Sequence, residues 1–136
     1  MVKKFLISIL VISTLLSCSL DDDNSNFKIE TLTIKEAVVP AEFIFGQSYT
    51  LTVTYDLPSG CHYFYDLFYQ HEGTSRIVAV NSIVDTNLAC TEALIEEEFS
   101  FVVRVAQEED YTFRFWKGTD TNGDDIFEDV IVPVIQ

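Results

Sequence analysis

Histidine and basic side chains are scarce in this 136-residue sequence: there are two histidines, and eight lysines and arginines stand against 22 acidic residues, a formal net charge of −14. The basic deficit excludes nucleic-acid and anionic-surface binding, because such a field repels phosphate. The two histidines, His62 and His71, leave little room for catalysis. A Ser-His-Asp set needs an imidazole held between a nucleophile and a carboxylate, and neither histidine has a glycine-flanked serine to serve. No C-x-x-C spacing accompanies them, which argues against zinc. Carboxylates occur throughout so acidic a chain, so their pairing discriminates no reaction. The expectation is a protein that is not an enzyme. Internal repeats and low-complexity tracts are also absent, and the length suits one domain.

The longest apolar run lies at the start. Lys3 and Lys4 precede a stretch from Phe5 to Leu16 that is interrupted only by Ser8, Ser13 and Thr14, and the small Ser17 then meets Cys18. Positive charge, apolar core and small residue in that order describe a cleavable export signal. The run is shorter than the roughly 20 apolar residues a spanning helix needs before it reaches Asp21, Asp22 and Asp23.

Leu15-Leu16-Ser17-Cys18 resembles the lipobox of bacterial lipoproteins. That resemblance implies cleavage before Cys18, a diacylglycerol thioether on its sulfur and an acylated new N-terminus, palmitate being a typical chain. Ser19-Leu20-Asp21-Asp22-Asp23 resembles the acidic tract that follows the lipidated cysteine in Bacteroidota lipoproteins. The implied address is the outer membrane, on its periplasmic or its surface face, with the membrane met only through the lipid. More than one acyl chain gives a stable anchor. The expected organisation is a signal peptide over residues 1–17, the lipidated cysteine and acidic linker over 18–27, and a folded domain over 28–136. Loss of Lys3 and Lys4 makes the processed chain more acidic still. With Cys18 lipidated, Cys61 and Cys90 remain, and an even pair in an exported chain reads as a disulfide; two free buried thiols are the alternative.

Beyond Phe27 the hydrophobic period is two. Tyr49, Leu51, Val53 and Tyr55 alternate with Thr50, Thr52 and Thr54, the pattern of a half-buried strand. Phe99, Phe101, Val103 and Val105 form another such set, Tyr111, Phe113 and Phe115 a third, and Val130, Val132 and Val134 a last one, with Pro133 marking an edge or strand end. Ile29–Val38 is apolar with a phase slip that suggests a bulge. His62–Gln70 is aromatic on both faces, and Arg76–Val84 is almost continuously apolar. Residues 91–98 read as a loop or a single helical turn. Turn residues separate these runs, so the expectation is all-β: a seven-stranded immunoglobulin-like β-sandwich. Glu109-Asp110-Tyr111-Thr112-Phe113 resembles the start of strand F in immunoglobulin-like domains, which implies that the Tyr111 hydroxyl bonds the backbone just upstream. The cysteines depart from that family, since they flank the third and fourth strands and not the second and sixth.

Two features could bind something. Asp120-Thr121-Asn122-Gly123-Asp124-Asp125 has oxygen ligands at alternate positions, as a Ca²⁺ loop does, with Asp120, Asn122, Asp124 and a more distant Glu128 as the ligand set. Asp125 stands where that loop needs glycine, and Asn-Gly between alternating strands is equally a hairpin signal. The second feature is aromatic. Tyr63, Tyr65 and Tyr69 are expected to share one strand face with Phe64 and Phe68 on the other, and Trp116 faces opposite Phe113 and Phe115. Rings left near solvent stack on sugars or seat a partner. The expected function is therefore a non-enzymatic binding or assembly module of the cell envelope, with a glycan or an envelope protein as its partner. A Ca²⁺-stabilised structural module is the second reading and an enzyme the third.

Overall fold

The computed structural model describes residues 26–136. The export signal, Cys18 and most of the acidic linker fall outside the described residues, and no helix among the described residues is long and apolar enough to cross a membrane. Ten strands form: β1 (Phe27–Leu32), β2 (Ile34–Val38), β3 (Phe43–Ile44), β4 (Ser48–Leu57), β5 (His62–Glu72), β6 (Ser75–Asp85), β7 (Ile95–Arg104), β8 (Tyr111–Thr119), β9 (Asp125–Val132) and β10 (Val134–Ile135).

The Thr-rich alternation makes β4 the centre of a three-stranded antiparallel sheet ordered β2-β4-β7. The other sheet has five strands, built around β6. β5 runs along one side of β6 for its full length. The opposite side is shared, with β1 pairing Val80–Asp85 and β8 pairing Ser75–Val78. β9 then extends the sheet beyond β8. β3 and β10 form a small parallel pair at one end.

The all-β sandwich expected from the sequence is what forms. Leu51, Val53, Tyr55 and Val103 from one sheet meet Val78, Val80, Phe113 and Phe115 from the other in a single buried cluster. Phe64 stacks on Phe99 across the gap with ring centres 4.4 Å apart. The β6–β8 pair is parallel, whereas the sheets of immunoglobulin domains are antiparallel. The likeness to those domains is one of layers.

The phase slip in Ile29–Val38 has a physical origin. The chain changes sheets at Thr33: β1 pairs β6 and β2 pairs β4. Leu32 and Ile34, on either side of the crossing, are both buried, and a further register shift falls between Ile34 and Glu36. Residues 91–94 form a loop, one of the two expected forms, but 95–98 need a correction, because Ile95–Glu98 open β7, where Glu96, Glu97 and Glu98 pair with Asp56, Tyr55 and Thr54 of β4. Backbone pairing at a solvent-facing sheet edge tolerates this charge, and charged edges discourage further pairing.

The implied role of Tyr111 holds. Its hydroxyl accepts a hydrogen bond from the Ala106 N–H at 3.0 Å, five residues upstream. Tyr49 does the same for the Ile44 N–H at 2.9 Å. Both rings pack on the fully buried Phe43, at 4.8 and 5.3 Å. At the opposite pole Cys61 and Cys90 are joined, with Cα atoms 5.5 Å apart. The bridge lies beside the start of β1, where the Thr86 N–H donates to the Asn26 carbonyl.

A groove on the outer face of the five-stranded sheet

Side chains of a sheet alternate between faces, and the registers assemble the outer face of the five-stranded sheet row by row. Tyr63 pairs Ile83, which pairs Ile29. Asp66 pairs Asn81, which pairs Thr31. Phe68 pairs Ala79, and Trp116, one strand further on, pairs Phe127. Gln70, Ile77, Arg114 and Asp129 complete the next row.

The third of these rows creates a cavity. Ala79 is small and stands between two strands that carry large rings, Phe68 on β5 and Trp116 on β8. Those strands are two spacings apart, about 10 Å, and nothing on β6 fills the interval. The result is an open groove of about 420 Å³, floored by Ala79 and Ile77 and walled by Phe68, Trp116 and Phe127. Thr31, Gln70, Asn81 and Asp125 give it a polar rim. Volumes of this order are typical of small-ligand sites.

The walls are held from behind. The Trp116 indole N–H donates to Asp125 Oδ1 at 2.9 Å. The Arg114 guanidinium lies over the Phe127 ring at 4.5 Å and is itself fixed by Asp129 at 3.2 Å and Glu72 at 3.8 Å. On the rim, Thr31 Oγ1 donates to Asn81 Oδ1 at 2.9 Å, and Asn81 Nδ2 donates to Asp66 Oδ1 at 2.8 Å. Beyond Trp116 the register shifts at Gly118, whose φ of +114° is open to glycine but strained for other residues.

Of the aromatics singled out in the sequence, Trp116 lines the groove, and Tyr63 lies on the same outer face, half-exposed. The expectation for β5 needs correction. A bulge between Phe64 and Asp66 shifts its phase, so Tyr69 joins Phe64 and Leu67 against the core while Phe68 takes the outer face. Tyr65, at the bulge, is half-exposed and outside the groove. Sequence reasoning missed Phe68 and Phe127. Strict alternation carried through the bulge misassigns the first, and the Asn-Gly hairpin that places the second opposite Trp116 was the available signal.

The Ca²⁺ ligand set is not gathered. Asp120 Oδ1 accepts the N–H groups of Asn122 and Asp124, at 2.7 and 3.0 Å, and Gly123 takes a φ of +86°. This carboxylate caps its own hairpin turn. Glu128 lies along β9 with its carboxylate 3.0 Å from Lys117 Nζ. Among the described residues no three His, Cys, Asp or Glu side chains cluster in a way that could hold a metal ion.

His62 stands in an unforeseen string. Its Nδ1 lies 2.7 Å from Ser59 Oγ and its Nε2 lies 3.1 Å from Glu30 Oε2. Ser59 Oγ also accepts the Cys61 N–H, so the serine serves the turn before β5. Lys28 first, and then His62, hold the Glu30 carboxyl below its ordinary range. The string lies outside the groove and ties β1 to the disulfide pole.

The sequence model of the ORF11 beta-sandwich domain matches residues 51–131, more than half of the chain, and the chain belongs to that family. The matched span runs from within β4 to most of β9 and includes Phe68, Ala79, Trp116 and Phe127. No curated protein and no solved structure matches the chain.

Proposed function

We propose that this chain is a bacterial cell-envelope lipoprotein, anchored through Cys18, whose β-sandwich is a non-enzymatic module that binds a neutral glycan in the outer-face groove. The observation that carries the reading is the row Phe68, Ala79, Trp116, Phe127. A small residue between the exposed ring of Phe68 and the half-buried ring of Trp116 leaves a slot about two strands wide, and the C–H faces of a sugar ring stack on such walls. Thr31, Gln70, Asn81 and Asp125 ring the slot with hydroxyl-matching donors and acceptors.

The shape of the groove favours a small glycan over a protein surface, and its charge favours a neutral one. The groove is concave and holds about 420 Å³, whereas a stable protein interface buries upward of about 1,000 Å². Its acidic members, Asp125 on the rim and Asp66 beside it, and the net charge of −14 disfavour anionic sugars. The reading is of binding without turnover: Asp125 accepts the Trp116 indole, Asp66 accepts the Asn81 amide, and no histidine or cysteine lines the groove. The anchor rests on the Leu15-Leu16-Ser17-Cys18 resemblance. The first described residue, Asn26, lies at the disulfide pole and the groove lies along the side of the sheet, an arrangement that suits display.

A glycan array probed with the mature protein and with Trp116→Ala and Ala79→Leu tests the proposal. Ala79→Leu fills the slot from its floor and leaves the core side untouched. Binding of a defined neutral glycan by the wild type, reduced tenfold or more by both variants, is expected. Binding that survives both substitutions places the ligand elsewhere and overturns the groove assignment, and an array without any binding overturns the glycan reading.

A further inference from the structure

The described residues contain six cationic lysine and arginine side chains, and four of them are committed. Lys28 pairs with Glu30, Lys35 with Asp56 and Glu96, Arg114 with Asp129 and Glu72, and Lys117 with Glu128. Arg76 and Arg104 have no carboxylate partner among the described residues. In a chain with 22 acidic residues that is an unlooked-for shortage of counter-charge, and both arginines line the same cavity.

This second cavity, of about 130 Å³, opens between the edges of the two sheets, where the end of β5 and the start of β6 face the end of β7. His71, Tyr69 and Tyr111 complete its polar lining, and no carboxylate contributes to it. Arg76 is only 5 % exposed. Its Nη1 donates to the carbonyls of Gly73 and Ser75, at 3.2 and 2.8 Å, and its Nη2 to Gln107 Oε1 at 2.7 Å. Its Nε is the one buried side-chain polar atom among the described residues with no hydrogen-bond partner. The guanidinium also lies over the Tyr111 ring at 4.8 Å. Neutral acceptors and a ring face leave its full charge uncompensated, and a buried cation without a counter-ion is costly. Arg104, exposed on β7, and His71, exposed on β5, stand at the mouth.

We propose that this cleft is an anion subsite that takes one compact oxyanion group, a carboxylate, sulfate or phosphate. The buried Arg76 supplies fixed positive charge, and the exposed Arg104 supplies the fork that grips two oxygens at once. Burial holds the Tyr69 phenol above its ordinary pKa, so it stays a neutral donor. The cleft's volume admits such a group but no whole sugar ring beside it. The site is separate from the glycan groove: it lies at the sandwich edge, and the two cavities share no lining residue.

Arginine Nε–H resonances of the ¹⁵N-labelled mature protein, followed while sodium sulfate, sodium phosphate or sodium acetate replaces sodium chloride at constant ionic strength, test the proposal. Arg76 and Arg104 signals that move along a saturating curve with at least one of the three anions, with an apparent affinity at least fivefold weaker in Arg104→Gln, are the expected result. The tetrahedral and planar anions distinguish sulfate or phosphate recognition from carboxylate recognition. Arg104 and His71 are both exposed, so His71→Gln is a second folded variant should Arg104→Gln lose its dispersed spectrum. Shifts that stay linear in all three anions, or a wild-type curve reproduced unchanged by the folded variant, would overturn the subsite and leave Arg76 as a strut for the β7–β8 loop.

Discussion

Tyr111 uses its hydroxyl to accept the N–H of Ala106 where the chain turns into β8, and its ring to pack against Phe43. Removing the oxygen leaves a partly buried backbone donor without a partner, which costs about 1–3 kcal/mol. Tyr111→Phe should lower unfolding free energy by that amount in urea, with Tyr49→Phe costing less because its hydrogen bond to Ile44 is exposed while that of Tyr111 is part-buried. Tyr55 shows the opposite use of a phenol. Burial, reinforced by the Glu97 carboxylate 3.4 Å away, pushes its pKa up to about 12 from the ordinary 10.0. Below pH 10 folded and unfolded chains both keep this proton. Between pH 10 and about 12 the unfolded chain releases it and the folded chain does not, so stability must fall across that window. Urea midpoints measured at pH 8, 10 and 11.5 should show Tyr55→Phe losing less stability than the wild type over the alkaline steps. Equal losses would mean that this phenol ionises in the folded chain as easily as in the unfolded one.

Elements differed in how legible they were, and the reasons are local. The Thr50, Thr52, Thr54 alternation in β4 reads cleanly because β4 has one face in the core and one toward solvent. β6 reads as nearly continuous apolar sequence because its outer side chains, Ile77 and Ala79, floor the groove while Val78 and Val80 fill the core. β5 misleads because its bulge changes the phase of alternation halfway along, and with it the identity of the ring that faces the groove. The two-residue strand β3 carries no periodic signal, and the Val130, Val132, Val134 alternation runs across Pro133, where β9 ends and β10 begins. Trp116 was legible as an outward ring, but its partners were not, because Phe68, Ala79 and Phe127 meet only through strand pairings distant in sequence. The disulfide was legible from the cysteine count together with the expected export. Its loop, with Cys61 and Cys90 separated by 29 positions, corresponds to about 3–4 kcal/mol in the chain-entropy account. Cys61→Ser with Cys90→Ser should lower stability by roughly that amount under oxidising conditions, and dithiothreitol should lower the wild type toward the variant.

At the scale of the whole molecule, the proposed lipid anchor at Cys18 is open to a direct test. Metabolic labelling with an alkyne palmitate should mark the wild type expressed in a lipoprotein-processing bacterium and should fail to mark Cys18→Ala, which should leave the membrane fraction. Retention of label and membrane fraction by that variant would remove the anchor from the account without touching the groove. For the groove the chain carries its own reporter, because Trp116 is its single tryptophan and forms a groove wall. The decisive measurement is tryptophan fluorescence of the mature protein during titration with the glycan selected on the array. The account predicts a saturable change in intensity or wavelength whose midpoint agrees with calorimetry, and its loss in Ala79→Leu. Calorimetric binding that leaves the Trp116 emission unmoved would contradict it.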